Sequence, residues 1–340
     1  MNALPNRRVE DWKYSDLRNA VDPAVVTDAP TAAWSVAAAS GAVDIADLPA
    51  ILPRGEHGAM AEFAIASAKA GPYLRVARGD AGAAHLQLTE GGHGRALIVV
   101  EDGASLTLEE TVLARDFANV AVEIAIGANA TLTHVRHAPA RAEAAQVADY
   151  SVRIAAGGRY RAHIADFGAR LSRTELHIAL EGADAEAHIS GASVLDGCHA
   201  DVTTHVTHAV ADTRSTQLFK YVAGGHSRGV YQGKVSVAHG ADGSDSRQTA
   251  KGMLLGGRAE IDLKPELEIL ADDVKCAHGA AVGDLDADSL FYLQSRGIPE
   301  AEARALLMRA FLGDAVDEIR DETIRAAVWL AVEAALERLS

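Results

Sequence analysis

The sequence predicts a mainly β protein with a repetitive, solenoid-like core and helical regions at both ends. Between about Leu86 and Val282, short apolar or alternating runs recur, and a period of two is typical of strands with one buried face. Gly-Ala turn phrases separate these runs. Those at Gly103 and Gly127 lie 24 residues apart, and the next, at Gly182, follows after about two further steps. This period favours a β-solenoid with stacked coils, while a β-sandwich stays an open alternative because the repeat is degenerate.

The chain divides into three regions by composition. Residues 1–85 are expected to be helical and irregular, residues 86–282 to form the β core, and residues 283–340 to be helical. Within the core, the predicted strands are Ala96–Val100, Leu106–Leu108, Val120–Ile126, Thr131–Val135, Tyr150–Ile154, Leu176–Leu180, Val202–Val206, Gly229–Val237, Met253–Leu255, Ala259–Leu263 and Leu267–Ile269.

The two flanking regions carry helix signals. In the first, an Ala-rich stretch from Gly58 to Ala70 suits a helix that stops at Gly71-Pro72. In the last, Asp286 or Asp288 can cap a helix that is closed by Gly297. A final helix follows, from about residue 314 or after a break near residue 320. The apolar stripes of this small region need cover, which we expect from the end of the solenoid and from a partner protein.

Composition and charge exclude several classes of protein. Hydrophobic residues make up 49% of the chain but aromatic residues only 5%, so the core must be built from closely packed Ala, Val, Leu and Ile. The formal net charge of −15 argues against nucleic acid as a partner. No apolar run approaches the roughly 20 residues of a membrane span, and the charged start shows no signal peptide. We therefore expect a cytoplasmic protein.

Several motifs resemble catalytic or metal-binding patterns without fitting them. Gly225–Gly229 matches G-x-S-x-G, but a strand-like run follows the serine where a nucleophile elbow needs a helix. Gly233-Lys234 lacks the first glycine and the Ser or Thr of a phosphate-binding loop. The pairs His134/His137 and His205/His208 lie in strand-like segments, where residues three apart point to opposite faces. These histidines are therefore expected to be solvent-facing or part of solenoid ladders.

The segment around Cys276 and His278 is the strongest candidate site. It is polar, rich in ligand atoms, and lies where the strand region gives way to the helical one. An extended backbone directs residues two apart to the same face, and a thiolate with an imidazole is half of an iron or iron–sulfur ligand set. The alternative is a buried cysteine beside a hydrogen-bonded histidine. A functional site would need further ligands from another chain.

The same segment resembles a known family. The runs Lys264–Ile269 and Ala271–Ala280, continuing to Phe311, resemble the C-terminal signature of the SufB/SufD family of iron–sulfur cluster assembly proteins. The chain is SufD-like, because SufB-like chains carry Glu-His-Glu where Cys276–Gly279 stands here. Matching residues at the start of the chain resemble the N-terminal signature of the family: Arg8, Glu10, Trp12, Lys13, Tyr14, Ser15 and Leu17.

The resemblance implies a right-handed parallel β-helix and the role of a non-enzymatic scaffold. It implies pairing with a SufB-like paralogue, side by side, and docking of a SufC-like ABC ATPase on the C-terminal helices. A homodimer in the absence of the paralogue is left open. A transient iron–sulfur cluster would form at the interface with SufB, and no cofactor would be held stably by this chain alone. Some assemblies of this family bind flavin, but the sequence carries no recognisable motif for it.

The resemblance also implies roles for individual residues. His278 would be a ligand or polar partner of the cluster at the SufB interface, with Cys276 as the weaker candidate. The expected SufC-docking stripe, for which core packing is the competing interpretation, consists of Leu290, Leu293, Leu306, Leu307 and Phe311. The alternative function is a β-helix enzyme acting on carbohydrate. It would need clustered acidic and basic residues along one face, commonly with a secretion signal, and the sequence shows neither.

Overall fold

The strands of the protein wind into a parallel β-solenoid of about 8 turns. The computed structural model describes residues 4–38, 42–45, 58–68 and 70–339. Strands account for 52% of it, with helices towards both termini, which confirms the predicted fold class and excludes the sandwich. The remaining parts of the predicted N-terminal region lie outside the described residues.

The elements follow one another in a regular order. After a 3₁₀ turn at Glu10–Trp12, the helices are α1 (Leu17–Ala20), α2 (Pro23–Thr27), α3 (Ala59–Ser67), α4 (Ala287–Ser295), α5 (Glu300–Val316) and α6 (Glu322–Arg338). The strands are β1 (Ala33–Ala38), β2 (Ala42–Ile45), β3 (Gly71–Val76), β4 (Ala81–Glu90), β5 (Gly92–Val100), β6 (Ser105–Val112), β7 (Phe117–Ile126), β8 (Thr131–Ala138), β9 (Arg141–Ile154), β10 (Arg159–Asp166), β11 (Ala169–Leu180), β12 (Glu186–Asp196), β13 (His199–His208), β14 (Arg214–Gly224), β15 (Arg228–Val237), β16 (Asp245–Leu254), β17 (Glu260–Ile269) and β18 (Lys275–Asp284).

Two nine-stranded sheets form the walls of the solenoid. Sheet one contains β1 and the even strands from β4 to β18, and sheet two contains β2, β3 and the odd strands from β5 to β17. Neighbours within each sheet are parallel, apart from the outermost pairs β1–β4 and β2–β3, which are antiparallel. Successive strands therefore alternate between the sheets, and each turn of the chain adds one strand to each wall.

The predicted Gly-Ala phrases form the corners between the two sheets. Gly103 and Gly240 adopt left-handed backbone angles there, with φ of 67° and 75°. The long gap between the second and third predicted corners contains one more, at residues 155–158. Backbone hydrogen bonds join one corner to the next, as from Gly103 N to Ala128 O at 2.8 Å and from Gly157 N to Ala183 O at 2.9 Å. The ladder of the sheets thus continues around the bends.

The strand region begins earlier than the predicted boundary at residue 86. Strands β1 to β3 and the start of β4 lie within the region expected to be helical and irregular. The start of β4 reads Ala-Gly-Ala-Ala, and residues of such low β-propensity hide the alternation that places Leu86 and Leu88 inside. The predicted runs Ala259–Leu263 and Leu267–Ile269 are parts of one strand, β17, which Pro265 does not interrupt.

The interior of the solenoid holds a buried polar network as well as small apolar residues. Glu110 accepts hydrogen bonds from Tyr150 at 2.6 Å, and its other oxygen lies 3.0 Å from Nε2 of His134. Arg136 Nε donates to the Tyr150 hydroxyl at 2.9 Å. His134 is therefore a ladder histidine bonded to a carboxylate, as one of the two sequence interpretations expected. Buried polar groups that are bonded to one another in this way fix the register of neighbouring turns.

The C-terminal helices pack on the outer face of sheet one. Helices α5 and α6 bury an apolar stripe against this face, with Met308 and Leu312 from α5 and Val328 and Val332 from α6. The expected cover by the end of the solenoid is therefore wrong, because the apolar stripe meets outward-facing apolar side chains of sheet one such as Val194 and Val222. The break between α5 and α6 lies at residues 317–321, as predicted. Among the described residues, no helix is both long and apolar enough to cross a membrane.

The N-terminal segment packs on the outer face of sheet two through an apolar cluster, in which Leu17 and Val26 meet Val147, and through a charged contact. Trp12 is buried, and the guanidinium of Arg173 lies 4.4 Å from its ring centre. Arg173 in turn forms an ion pair with Asp201 at 2.5 Å, and Ser15 donates a hydrogen bond to the same carboxylate. The N-terminal signature residues Trp12 and Ser15 thus join the start of the chain to strands β11 and β13.

A second charged cluster lies beside this contact, under the start of α3. His177 Nε2 is 3.3 Å from Asp149 Oδ2 and 3.4 Å from Glu175 Oε2. The backbone N–H of Gly58 donates to Asp149 Oδ2 at 2.9 Å, and a side chain at Gly58 would come within 2.8 Å of that oxygen. Burial lowers the pKa of His177, but the hydrogen bonds and charges of the two carboxylates outweigh it and raise this pKa to about 10.

Stability should therefore fall as the pH rises through the titration of His177. A pKa raised above its unfolded value of about 6.5 gives stabilisation that is complete below that pH and lost towards pH 10. In urea unfolding between pH 7 and 10, the wild-type free energy of unfolding should decline more steeply than that of His177→Gln, by up to about 1.4 kcal/mol per pH unit. The exposed His239→Gln control should keep the wild-type slope. Equal slopes for all three proteins would refute the assignment.

Candidate partner-docking site at the end of the solenoid

The last turn of the solenoid presents two open strand edges. β18 pairs with β16 and β17 pairs with β15, and neither has a partner on its other side among the described strands. The apolar side chains of this turn are only partly covered: Ile261 and Leu263 pack on the core from one side. An open edge offers unpaired backbone N–H and C=O groups, which natural proteins cover, charge or use for pairing.

Cys276 lies on β18, opposite Ser246 of β16. Its side chain is half-buried and packs against the end of the core, and it forms no disulfide. Burial raises the pKa of the thiol, so that it stays protonated at neutral pH unless a metal or a base takes the proton. The other cysteine, Cys198, is buried, and burial also raises its pKa.

His278 lies two residues further along β18, opposite Gln248, and is exposed. The structure therefore brings Cys276 and His278 to one strand edge with two-residue spacing, as the sequence predicted. Alternation along a strand places both on the same face. Because Cys276 packs on the end of the core, this is the inner face of β18. A further turn of the solenoid would cover it.

A polar column inside the solenoid leads to His278. Gln217, Gln248 and His278 occupy the same register on the neighbouring strands β14, β16 and β18. Gln217 accepts hydrogen bonds from Thr204 at 2.6 Å and Tyr231 at 3.0 Å. Gln248 is buried, yet neither its amide nitrogen nor its oxygen has a hydrogen-bond partner among the described residues. The sequence analysis missed this column because its members are about 30 residues apart along the chain.

Within the described residues, Cys276 and His278 do not belong to a complete metal-ligand group. The His, Cys, Asp and Glu side chains with ligand atoms within 4.8 Å of one another are Asp149, Glu175 and His177, on sheet two. There Arg173, the His177 ring and the Gly58 N–H already oppose the carboxylate charges, so the group resembles an ion-pair network. At β18, a thiol and an imidazole alone cannot complete the coordination of a metal.

The five residues of the expected docking stripe differ in exposure. Leu306 on α5 is 43% exposed, whereas the other four are half-buried. Phe311 packs beside the apolar contact of α5 with sheet one, and Lys220 Nζ lies 4.8 Å from its ring centre. The most exposed apolar side chains nearby are Phe291 at 72% and Tyr292 at 56%, both on α4. The sequence analysis did not name these two, because helical spacing alone does not show which face of α4 is covered.

The G-x-S-x-G motif is a corner between β14 and β15. Ser227 is buried and donates a hydrogen bond to the carbonyl of Gly224 at 2.6 Å. A strand follows it directly, and Gly225 supplies the left-handed angle of the bend. The serine hydroxyl is therefore committed to the turn, which confirms that this motif is not a nucleophile elbow.

Comparison with known proteins agrees with these features. Residues 67–311 match the family described as SUF system FeS cluster assembly, SufBD core domain. An iron–sulfur cluster assembly SufBD family protein of Synechocystis is 33% identical over 66% of this chain and 52% of its own length. The iron–sulfur cluster assembly protein SufD of Escherichia coli is 32% identical over 72% of this chain and 56% of its own. Protein ABCI7, chloroplastic, of Arabidopsis thaliana is 30% identical over 74% and 55%.

The matched region contains the solenoid from β3 onwards, the β18 edge and helices α4 and most of α5. The chain spans about half the length of the curated relatives that it matches. The solenoid, the signature segment at Cys276 and His278, and the family match agree with one another, and the chain belongs to the SufBD family of SUF-system iron–sulfur cluster assembly proteins, in which it is SufD-like.

Proposed function

We propose that this protein is a non-enzymatic, cytoplasmic scaffold subunit that pairs with a SufB-like paralogue and docks a SufC-like ATPase. The observation that carries the proposal is the open last turn of the solenoid, which holds His278 on an unpaired strand edge. A second solenoid of the same kind has the matching geometry, because its own last strands could extend both sheets.

The composition of this end supports pairing with a protein. Ile269 is 40% exposed, Leu270 49% and Val282 43%. Apolar side chains at a strand edge combine the backbone hydrogen bonds of strand addition with burial of apolar area. Self-association of the chain would compete with pairing to the paralogue, because both would use the same strand edge.

The transient cluster would be held between the two chains. His278 offers an exposed imidazole, and Cys276 becomes a thiolate ligand only if iron displaces its proton. The partner would supply the remaining ligands, because the described residues around β18 contain no third one in range. The cluster is cargo in this scheme, and neither chain retains it.

The ATPase would dock on α4 and the start of α5. Phe291, Tyr292 and Leu306 are exposed there, and α4 buries none of its own residues against the solenoid. Large exposed apolar side chains on neighbouring helices are typical of interaction surfaces. This surface includes Leu306 from the sequence prediction and adds the two aromatic residues of α4.

Pairing should depend on the β18 edge. In size-exclusion chromatography with light scattering, the chain mixed with a SufB-like paralogue should elute as a 1:1 complex, and Val282→Lys should weaken it strongly because a charge would be buried. Val9→Lys is a matched control, since Val9 is also 43% exposed but lies in the N-terminal segment. Equal loss of complex in both variants, or a complex that is unaffected by Val282→Lys, would place the interface elsewhere.

His278→Ala should reduce cluster assembly without changing the fold. The side chain is exposed, so its removal should leave the free energy of unfolding within about 0.5 kcal/mol of wild type. Cluster formation on the complex, followed by absorbance during anaerobic reconstitution, should fall by about tenfold or more, and less in Cys276→Ser. The control is His239→Ala, at an exposed corner. Full cluster formation by His278→Ala would exclude its role as a ligand.

The docking surface can be tested by substituting exposed apolar residues on two different helices. The double variant Phe291→Ser/Leu306→Ser should lose binding to the SufC-like ATPase, because its apolar contact area is removed. Leu330→Ser on α6 is the control, since Leu330 is 70% exposed. Calorimetric titration should show wild-type affinity for this control. Loss of affinity only in Leu330→Ser would show that the ATPase docks on α6 instead.

A further inference from the structure

A cavity lies between the outer face of sheet one and the turn that joins α5 to α6. Its volume is about 410 Å³, which is within the range of small-molecule sites. The even strands from β8 to β16 form its floor, and Glu318, Ile319 and Arg320 of the turn form its roof. It lies on a different part of the surface from the β18 edge and from the exposed face of α4.

The floor of the cavity carries a ladder of hydrogen-bond donors. Five residues stand in one register on five neighbouring strands of sheet one, and all of them line the cavity: Thr133, Arg161, His188, Thr216 and Arg247. Neighbouring strands are about 4.8 Å apart, so the two arginines of the ladder are separated by about 14 Å. The ladder therefore offers donors along a line that is long enough for more than one anionic group.

The arginines at this cavity differ in their ion pairs, and Arg247 Nε lies 3.6 Å from Asp245 Oδ1. Neither Arg161 nor Arg320 forms an ion pair in the part of the chain that the structure describes. Burial lowers the pKa of Arg161 and the charge of Arg320 across the cavity lowers it further, while the carboxylates of Glu186 and Glu318 raise it in part. The neighbouring Arg159 and Arg214 differ, because both reach Glu186, at 3.3 and 3.6 Å. Arg161 and Arg320 therefore differ from these two arginines, because neither has a direct ion pair among the described residues.

Two histidines of the cavity, His163 and His188, are neutral donors or acceptors at physiological pH. Burial lowers the pKa of His163 to about 3, and its Nδ1 is 2.8 Å from the Ser190 hydroxyl. Burial and the charge of Arg161 lower the pKa of His188, whose Nδ1 lies 2.8 Å from the Thr216 hydroxyl. The positive charge of the cavity thus comes from its arginines, and it is opposed by Glu318 in the lining and by Glu186 beside it, 3.6 Å from His188 Nε2.

We propose that this cavity binds a phosphate-bearing small molecule between Arg161 and Arg320. Guanidinium groups bind phosphate oxygens through two parallel N–H donors, and hydroxyl and imidazole groups satisfy the remaining oxygens. Two arginines that face each other across a cavity repel one another, and an anion between them would relieve this repulsion. Since Arg320 belongs to the turn between α5 and α6, a bound anion would also join that turn to sheet one.

Pyrophosphate is the probe that fits the ladder, and the test uses the full chain at constant ionic strength. Calorimetric titration should show one saturable site, with pyrophosphate binding more tightly than inorganic phosphate or citrate. Arg161→Gln and Arg320→Gln should each weaken binding by about tenfold or more, and Arg161→Lys should weaken it less. Arg214→Gln is the matched control, because this arginine lies on the same sheet but is paired with Glu186, and it should bind as wild type.

The unliganded variants separate binding from a structural role. If the two arginines bind an anion that the free protein lacks, removing either should leave the melting temperature of the free protein unchanged or higher. The reason is that the repulsion between the two guanidinium groups is relieved. A structural role for the pair would instead lower it. The proposal is overturned if wild type shows no saturable pyrophosphate binding, if citrate binds more tightly than pyrophosphate, or if Arg214→Gln loses as much affinity as Arg161→Gln.

Discussion

Each turn of the solenoid depends on backbone hydrogen bonds to the turns on either side of it. The bonds continue around the corners, where Asp184 N donates to Asp212 O at 3.0 Å and Asp212 N to Asp242 O at 2.9 Å. A turn in the middle of the stack is satisfied on both sides, but a turn at an end has one open side. The architecture therefore requires a solution at each end. At the start, the antiparallel strands β1 and β2 provide it; at the other end, β17 and β18 remain parallel and open.

Both terminal segments cover an outer wall with apolar contacts, and the N-terminal segment adds a charged contact. The C-terminal helices bury an apolar stripe against sheet one, where Met308 and Leu312 meet apolar residues of the even strands. The N-terminal segment uses Trp12 and Ser15 on a charged group around Arg173 and Asp201. Apolar contact depends little on precise angles, whereas the charged contact requires its partners in register. The polar clamp thus fixes where the start of the chain lies on sheet two.

How much of the fold could be predicted depended on which wall a strand belongs to. From β5 onwards every strand of sheet two was predicted at least in part, because strands such as β5 and β7 are buried on both faces and read as apolar runs. In sheet one, the predicted runs contain no part of β4, β10, β12, β14 or β18. In β10 and β12, Arg161 and His188 face a cavity and interrupt the apolar pattern. The Cys276–His278 pair was found from local spacing, but the Gln248 column and the His177 cluster were not. Their members meet only when separate turns stack.

The buried Gln248 shows how the open end differs from the rest of the interior. A buried amide without partners costs free energy, typically about 1 to 3 kcal/mol, and evolution usually removes such groups from a core. Farther inside, the Gln217 oxygen is bonded to Thr204 and Tyr231 and only its amide nitrogen lacks a partner among the described residues, so the cost is larger in the layer beneath His278, where both polar atoms of Gln248 are unpaired. A leucine would fill the same space and stabilise the isolated chain. That the chain has glutamine here and not leucine is understandable if the amide becomes bonded only when a partner, with its ligands and water, closes the last turn.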